Sequence, residues 1–246
     1  MSQPLGRTWA ATNQTITPPY LLPSITLRAS SNRNPYPLSY NLSELYIKFF
    51  LWDFNLPLKN VILLDTRIIG AERAIYAIVG GAACVLLGST RATEDVDIVV
   101  PQGATKETRQ RLKDQAEYFH VEKRTLHTYY KSDPPVEIEV LAPPAMFKED
   151  FSSSTPVVVV DGVNVLKPAL ILNAKCNSIT GRPSDGKKQN DATDIRFCLR
   201  WCARNNALPT KTEVPRASKE FVEWYIDVYG GREDWQNAGY NFDTGK

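Results

Sequence analysis

Residues 79–100 read VGGAACVLLGSTRATEDVDIVV. A glycine pair, Gly80-Gly81, ends an apolar strand-like segment and opens an apolar segment that predicts a short helix. The stretch closes with Asp95 and Asp97, one residue apart on a predicted strand. Because alternate side chains of a strand share a face, the two carboxylates point the same way and Val96 points into a core. Adjacent like charges need a positive group between them, and hard carboxylate oxygens suit magnesium.

The composition is that of an ordinary globular protein: 246 residues, 43% hydrophobic and 23% charged. A net charge of +2 is only a weak indication of a nucleic-acid partner. The sequence shows no apolar run that could span a membrane and no signal sequence, which favours the cytoplasm, with the nucleus as the alternative. The cysteines lie in apolar, helix-like surroundings and are predicted to be buried, reduced thiols: Cys84, Cys176, Cys198 and Cys202.

The order of predicted elements indicates an α/β (α+β) fold, with a mixed sheet first and a helical bundle after it. Residues 1–42 are rich in Pro, Ser, Thr and Asn and are predicted to be disordered or loosely attached. Residues 43–167 are predicted to form the α/β core, and residues 168–246 a C-terminal helical domain.

Periodicity and turn signals predict the individual elements. Helices are predicted from Ser43, at 64–73, 82–87, 105–119, 169–178, 191–205 and 218–229. Strands or extended segments are predicted at 74–79, 95–100, 121–130 and 136–141, with a hairpin of 157–160 and 163–166 around Asp161-Gly162. The tail from Asp234 is predicted to lie on the surface, docked through Trp235 and Tyr240.

A second acidic strand follows the aspartates. Segment 136–141 reads VEIEVL, which places Glu137 and Glu139 on one face. If this strand lies beside the aspartates, one glutamate joins them, and three carboxylates can hold two metal ions for an in-line phosphoryl displacement. The alternative is that both glutamates form the solvated face of an antiparallel strand.

The glycine pair suggests how a phosphate would be held. Only glycine lets backbone amides approach phosphate oxygens closely, and the helix that opens at Gly81 adds its positive end. Ser89 and Thr90 could supply hydroxyl donors.

These residues resemble a known family. Gly80-Gly81, thirteen intervening residues and then Asp95-Val96-Asp97-Ile98 are similar to the signature of the DNA polymerase β-like nucleotidyltransferase superfamily. The segment from Gly88 through Arg91 and Thr93 to Asp97 further resembles the G-x-x-R-x-T-x-D-x-D form of abortive-infection and mycobacterial toxin nucleotidyltransferases. The resemblance covers roughly residues 70–200.

The resemblance implies roles for the acids. Asp95 and Asp97 would bind the metals, and the third acid would be Glu139, which precedes two apolar residues and a nearby proline, rather than Glu137. The family uses Asp more often at this third position, so the longer glutamate could weaken or displace the second metal.

The toxin-like members also carry a lysine on a following helix and an acid on the next one. Lys175 matches the lysine, as a triphosphate ligand, and Asp191 or Asp194 matches the acid. The alternatives are a solvent-facing lysine and, for Asp191, a helix N-cap. Arg182, Lys187 and Lys188 are predicted to lie in a loop between these helices, where they could bind the triphosphate, bind the acceptor or be solvated. Arg91 is expected to pair with a nearby carboxylate.

Together these features predict an enzyme that uses Mg²⁺ (or Mn²⁺) and a nucleoside triphosphate, commonly ATP in such enzymes. It would transfer the nucleotidyl group to a hydroxyl of RNA, a protein or a small molecule and release pyrophosphate. One alternative is a weak or inactive relative that binds nucleotide or a protein partner without turnover. Another is a metal-dependent phosphatase or kinase.

Overall fold

The computed structural model describes Ile62 and residues 75–245. Three predictions concern residues whose structure is not described: the N-terminal segment over residues 1–42, the helix from Ser43 and the helical segment at 64–73.

The centre of the described chain is a mixed seven-stranded sheet. Its strands are β1 (Ala77–Val79), β2 (Asp95–Val99), β3 (Phe119–Val121), β4 (Thr128–Tyr130), β5 (Val136–Leu141), β6 (Val157–Val160) and β7 (Val163–Leu166). They lie in the order β3-β4-β5-β2-β1-β7-β6, so the two acidic strands, β2 and β5, are neighbours. These two run parallel, while β1 is antiparallel to β2 and parallel to β7.

Three sequence predictions for the sheet are confirmed. The alternation in β2 and β5 places Val96, Ile98, Ile138 and Val140 in the core, each at most 3% exposed. Strand β5 has the predicted bounds. The hairpin of β6 and β7 turns at Asp161-Gly162, where both residues have positive φ (50° and 82°), as a type I′ turn requires.

Six helices accompany the sheet in the described part of the chain: α1 (Gly80–Leu86), α2 (Thr105–Asp114), α3 (Pro168–Ile179), α4 (Asp185–Arg204), α5 (Lys219–Tyr229) and α6 (Arg232–Asn237). Helix α1 packs against both β2 and α4, and α3 packs along α4. Buried residues from the sheet and from the helices join into one core cluster.

Two helix boundaries differ from the predictions. The helix predicted at 105–119 ends at Asp114, and Phe119 instead begins β3, where it is 2% exposed and meets Tyr130 edge to face. The helical spacing of apolar residues appeared to continue to Phe119 because this strand residue packs into the same core as the helix. Helix α4 begins six residues before the predicted start, because the Ser184 side chain accepts a hydrogen bond from the Lys187 amide and caps it.

The tail was predicted to lie on the surface, docked through Trp235 and Tyr240. Docking through Trp235 is confirmed by the residues of α6. They fold back on the other helices, and Trp235 is only 2% exposed. Its ring meets Tyr225 edge to face at 5.8 Å, which gives the tail an aromatic anchor in the core.

The cysteines are free and buried, as predicted. Burial raises the pKa of the Cys202 thiol to about 11 and that of Cys176 further. A hydrogen bond with Cys84, together with burial, raises the pKa of Cys198.

The predicted fold class is confirmed: a mixed sheet with helices, followed by C-terminal helices. The division into domains at residue 167 stays a prediction. Within the described residues, none of the helices has the length and apolarity that crossing a membrane would require.

Candidate active site

Four carboxylates meet on one face of the sheet. Strands β2 and β5 pair so that Asp95 stands beside Glu137 and Asp97 beside Glu139. Their neighbours in each strand are buried in the core, so the acidic side chains share the opposite face. The predicted convergence of the two acidic strands is therefore confirmed.

Asp97 carries the strongest perturbation among these acids. Loss of hydration, followed by the nearby charges of Asp95 and Glu139, raises the pKa of Asp97 to about 7. Lys175 and Arg182 act in the opposite direction but do not overcome this rise. Burial and the charges of Asp95 and Glu137 also raise the pKa of Glu139. Burial and mutual repulsion therefore both disfavour the charged forms of Asp97 and Glu139.

The two glutamates of β5 have different surroundings. Oε1 of Glu137 lies 2.5 Å from Nδ1 of His127, and this hydrogen bond raises the pKa of the histidine. The side chain of Glu139, by contrast, has neither a hydrogen bond nor an ion pair within the described part of the chain. The choice of Glu139 as the third acid stays a prediction.

The glycine pair packs directly against the site. Gly80 has φ of +64°, and a Cβ on it would overlap Oδ2 of Asp97. A Cβ on Gly81 would overlap Nη2 of Arg91 and lie 2.8 Å from Oγ1 of Thr93. Only glycine therefore lets the start of α1 lie this close to the site residues. This packing role was not predicted; the predicted phosphate-binding role stays a prediction.

Thr93 was read from the sequence only as one position of the motif. Its hydroxyl donates a hydrogen bond to Oδ1 of Asp95 at 2.9 Å and so orients that carboxylate. This contact could have been predicted from the sequence, because Thr93 lies two residues before Asp95.

Beside the acidic face of the strands lies a largely buried ion network. Nζ of Lys175, a residue only 8% exposed, is 2.8 Å from Asp191 and 2.9 Å from Asp194. Arg91 binds Asp194 through Nε (2.8 Å) and Nη2 (3.0 Å), and Nε of Arg182 lies 2.7 Å from Asp191. The chain therefore pairs these two aspartates with its own cations.

The pKa values follow this pairing. Burial alone would raise the pKa of Asp191, but hydrogen bonds from Arg182 and Lys175 hold it below its ordinary value. Burial would lower the pKa of Lys175, but the charges of Asp194 and Asp191 hold it above its ordinary value. The partners of Asp191 and of Lys175 therefore favour the charged form of each side chain.

Several predictions are decided by this network. Arg91 does pair with a carboxylate, and its partner is Asp194. Asp191 is not an N-cap, because it lies inside α4 and is 1% exposed. Arg182 is neither simply solvated nor free, and Lys187 and Lys188 belong to α4 rather than to a loop. Lys175 is buried, which excludes the solvent-facing alternative.

A cleft of about 300 Å³ brings several predicted residues together. Its lining includes these residues from the sequence analysis: Gly81, Asp95, Asp97, Lys175, Arg182, Lys187 and Asp191. Glu139, Gly80 and Asp194 are not part of the lining. We call it the acidic cleft. Ser89 and Thr90 do not line it; they line a neighbouring cleft that shares Arg91 with it. Their predicted contact with nucleotide stays a prediction.

The donor types of the acidic cleft fit a hard divalent cation, since they are carboxylate oxygens. A cation there would offset both the burial and the charge repulsion that raise the pKa of Asp97. In the described part of the chain, however, no three histidine, cysteine, aspartate or glutamate side chains converge into a closed metal-ligand group. Asp95, Asp97 and Glu139 share a face without forming a finished ligand set.

Comparison with known proteins gives a consistent picture of the fold. No family model matches the sequence, and no curated protein does. The solved structure of an antigenic nucleotidyltransferase-like protein from Paracoccidioides brasiliensis is similar at 26% identity and a TM-score of 0.54. The match covers 74% of this chain and 91% of the other.

Two further solved structures match less well. The antibiotic-resistance factor ANT(2'')-Ia matches at 15% identity over 71% of this chain and 96% of its own, with a TM-score of 0.45. JHP933 from Helicobacter pylori matches at 16% over 71% and 78%, also with a TM-score of 0.45. Likenesses at this level say nothing about activity. The chain has the fold of a nucleotidyltransferase-like protein.

Proposed function

We propose that this protein is a nucleotidyltransferase that transfers a nucleoside monophosphate from a nucleoside triphosphate to an acceptor hydroxyl. The observation that carries the proposal is the register of β2 and β5, which sets Glu139 beside Asp97 and next to Asp95. The acceptor could be RNA, a protein or a small molecule. The likeness to the nucleotidyltransferase-like protein of P. brasiliensis supports the same reaction class.

Asp95, Asp97 and Glu139 would hold Mg²⁺ or Mn²⁺. When bound, the metal supplies positive charge to the phosphate oxygens and to the acceptor hydroxyl. Asp97 or Glu139 accepts the proton of that hydroxyl as the general base. The hydroxyl oxygen then forms a bond to the α-phosphorus while the bond to pyrophosphate breaks.

The cations of the acidic cleft would bind the triphosphate. Lys187 lines the cleft and its side chain has no hydrogen bond or ion pair among the residues described, so its ammonium is available for phosphate oxygens. The Arg182 side chain is 36% exposed, and among the described residues it bonds to Asp191 alone. Lys175, held between Asp191 and Asp194, contributes a fixed charge at the base of the cleft.

Label transfer tests the proposal. The purified protein is incubated with Mg²⁺ and each α-labelled nucleoside triphosphate, with RNA, protein and small-molecule acceptors in separate reactions. We expect label on one acceptor class, and a loss of ~100-fold or more in Asp95→Asn and in Asp97→Asn. Glu139→Gln should also lose activity, whereas Glu137→Gln removes the same charge from the same strand face and should change the rate only a few-fold.

The other outcomes point elsewhere. Release of inorganic phosphate or diphosphate nucleotide instead of pyrophosphate would indicate a phosphatase or kinase. Tight, metal-dependent nucleotide binding without transfer would indicate a catalytically weak or inactive binding module. Equal losses in Glu137→Gln and Glu139→Gln would contradict the assignment of the third acid.

A further inference from the structure

A second cleft, of about 530 Å³, adjoins the acidic cleft, and Arg91 lines both. Its walls are the loop at 88–91, one face of α4 and Tyr229 at the end of α5. Four arginines line it: Arg91, Arg196, Arg200 and Arg204. Of the described residues in its lining, none is acidic. We call it the arginine cleft.

The arginines of α4 form a row. Arg196, Arg200 and Arg204 are four residues apart, so they lie on one face of the helix at a rise of about 6 Å from one to the next. A row of guanidinium groups at this spacing presents repeated positive charge along a line.

The row is only partly neutralised. Asp234 of α6, 8% exposed, accepts hydrogen bonds from Nε of Arg196 (3.0 Å) and Nε of Arg200 (2.7 Å). One carboxylate therefore serves two guanidinium groups and leaves their Nη donors without a partner in the described chain. Nε of Arg204 donates to the Arg200 carbonyl, and Arg204 has no acidic partner among the described residues.

The remaining lining adds flat and hydroxyl-bearing groups. Phe197 and Tyr229 are partly exposed and supply aromatic rings. Ser89 and Thr90 supply hydroxyls. Guanidinium groups bind phosphates bidentately, and both aromatic rings and guanidinium planes stack on unpaired bases.

We propose that the arginine cleft binds the acceptor and that the acceptor is a single-stranded polynucleotide. Its phosphodiesters lie on Arg200 and Arg204, and a hydroxyl of the strand reaches the acidic cleft past Arg91. This inference rests on the proposed function and narrows its acceptor class. RNA and single-stranded DNA share the phosphodiester chemistry, and the experiment separates them.

Binding is measured by fluorescence anisotropy with the full chain and a labelled oligonucleotide of about twelve nucleotides, roughly the length that a single-strand binding groove covers. The RNA, the DNA of the same sequence and the RNA duplex are compared over a series of salt concentrations. Variants are Arg204→Gln and Arg200→Gln/Arg204→Gln. The matched control is Arg124→Gln, which removes an exposed arginine that lines neither the arginine cleft nor the acidic cleft. Arg204 is exposed and makes one hydrogen bond, so its loss leaves folding intact.

We expect single strands to bind more tightly than the duplex. Arg204→Gln should bind them about fivefold more weakly at ~0.1 M salt and reduce the slope of log K against log salt by ~0.7. The double variant should lose more, and Arg124→Gln should match the wild type. Transfer of label to RNA but not to DNA would identify RNA as the acceptor.

Absence of single-strand binding by the wild type, or an equal loss in Arg124→Gln and Arg204→Gln, would overturn the proposal. Nucleotide binding is measured on the same samples, with Asp97→Asn as the loss variant. If nucleotide binds and polynucleotide does not, the arginine cleft is wrongly assigned and the proposed function stands. If polynucleotide binds through these arginines while nucleotide does not, the proposed function fails instead.

Discussion

The acidic face of β2 and β5 and the ion network beside it both contain carboxylates, but only those of the network are paired with cations. Asp191 and Asp194 each lie within 3 Å of cations from the chain itself. Asp97 and Glu139 have no such partner among the described residues, and their pKa values are raised. A carboxylate that the protein neutralises contributes to stability, whereas one that it leaves unneutralised keeps its oxygens available for a cation.

The largest effect is expected from breaking the network. Asp194→Ala leaves Arg91 without its bidentate partner and Lys175 with one partner fewer, which should lower the free energy of unfolding by about 3–5 kcal/mol. Urea unfolding followed by tryptophan fluorescence measures it. Asp97→Asn at pH 8 is the comparison and should not destabilise the protein. A larger loss of unfolding free energy in Asp97→Asn than in Asp194→Ala would contradict the view that the paired aspartates, and not the acidic face, stabilise the fold.

A smaller loss is expected where the backbone meets the acidic face. Gly80→Ala combines a left-handed φ with overlap on Asp97, so it should cost roughly 1–3 kcal/mol and reduce label transfer. Gly103→Ala is the control, because Gly103 also has positive φ (86°) but has nothing near its missing Cβ. Unfolding and transfer assays on both variants separate backbone strain from displacement of Asp97. Equal results would show that the close approach is unimportant.

The raised pKa of Asp97 predicts a pH dependence. Between about pH 4, where the unfolded carboxyl ionises, and about pH 7, where the folded one does, the folded state binds more protons. Stability should therefore fall as pH rises through this window and level off above it. The difference in unfolding free energy between wild type and Asp97→Asn isolates this group from the other acids. Parallel curves for the two proteins would contradict the raised pKa.

The smallest effect is expected from the metal itself. If Mg²⁺ binds the folded acidic face, a concentration about ten times its Kd should add about 1.4 kcal/mol to the wild type at pH 8. Asp95→Asn should gain much less, and a chelator should reverse the gain. Thermal unfolding with and without Mg²⁺ measures it. The same gain in Asp95→Asn would place the metal elsewhere.

Much of the sheet could be predicted because β2 and β5 have a strict two-residue alternation, and the Asp-Gly turn defines the last hairpin. Helix ends were harder to place. Gly186 indicates a loop, but Ser184 caps the helix and its first turn tolerates the glycine. Phe119 fits the helical spacing of the preceding residues, but in the structure it belongs to β3, which pairs with β4.

The acids of the site could be predicted from the same two-residue alternation as the strands. The partners of the charged residues could not be predicted. That Arg91 needs a carboxylate follows from its charge; that the carboxylate is Asp194, 103 residues later, follows only from the packing of α1 on α4. The row Arg196, Arg200 and Arg204 was legible in the sequence as a four-residue repeat. How far the charge of this row is neutralised depends on Asp234 of α6, which pairs with Arg196 and Arg200 in the folded structure.

The four buried thiols allow transient detachment of individual helices to be measured by thiol labelling. They lie on α1, α3 and α4, and none is more than 2% exposed. Alkylating reagents must reach the sulfur atom, which burial prevents in the folded protein, so labelling must wait until a helix detaches. The labelling rate of each cysteine, resolved by peptide mass, therefore measures how often its own helix leaves the core, without any introduced probe.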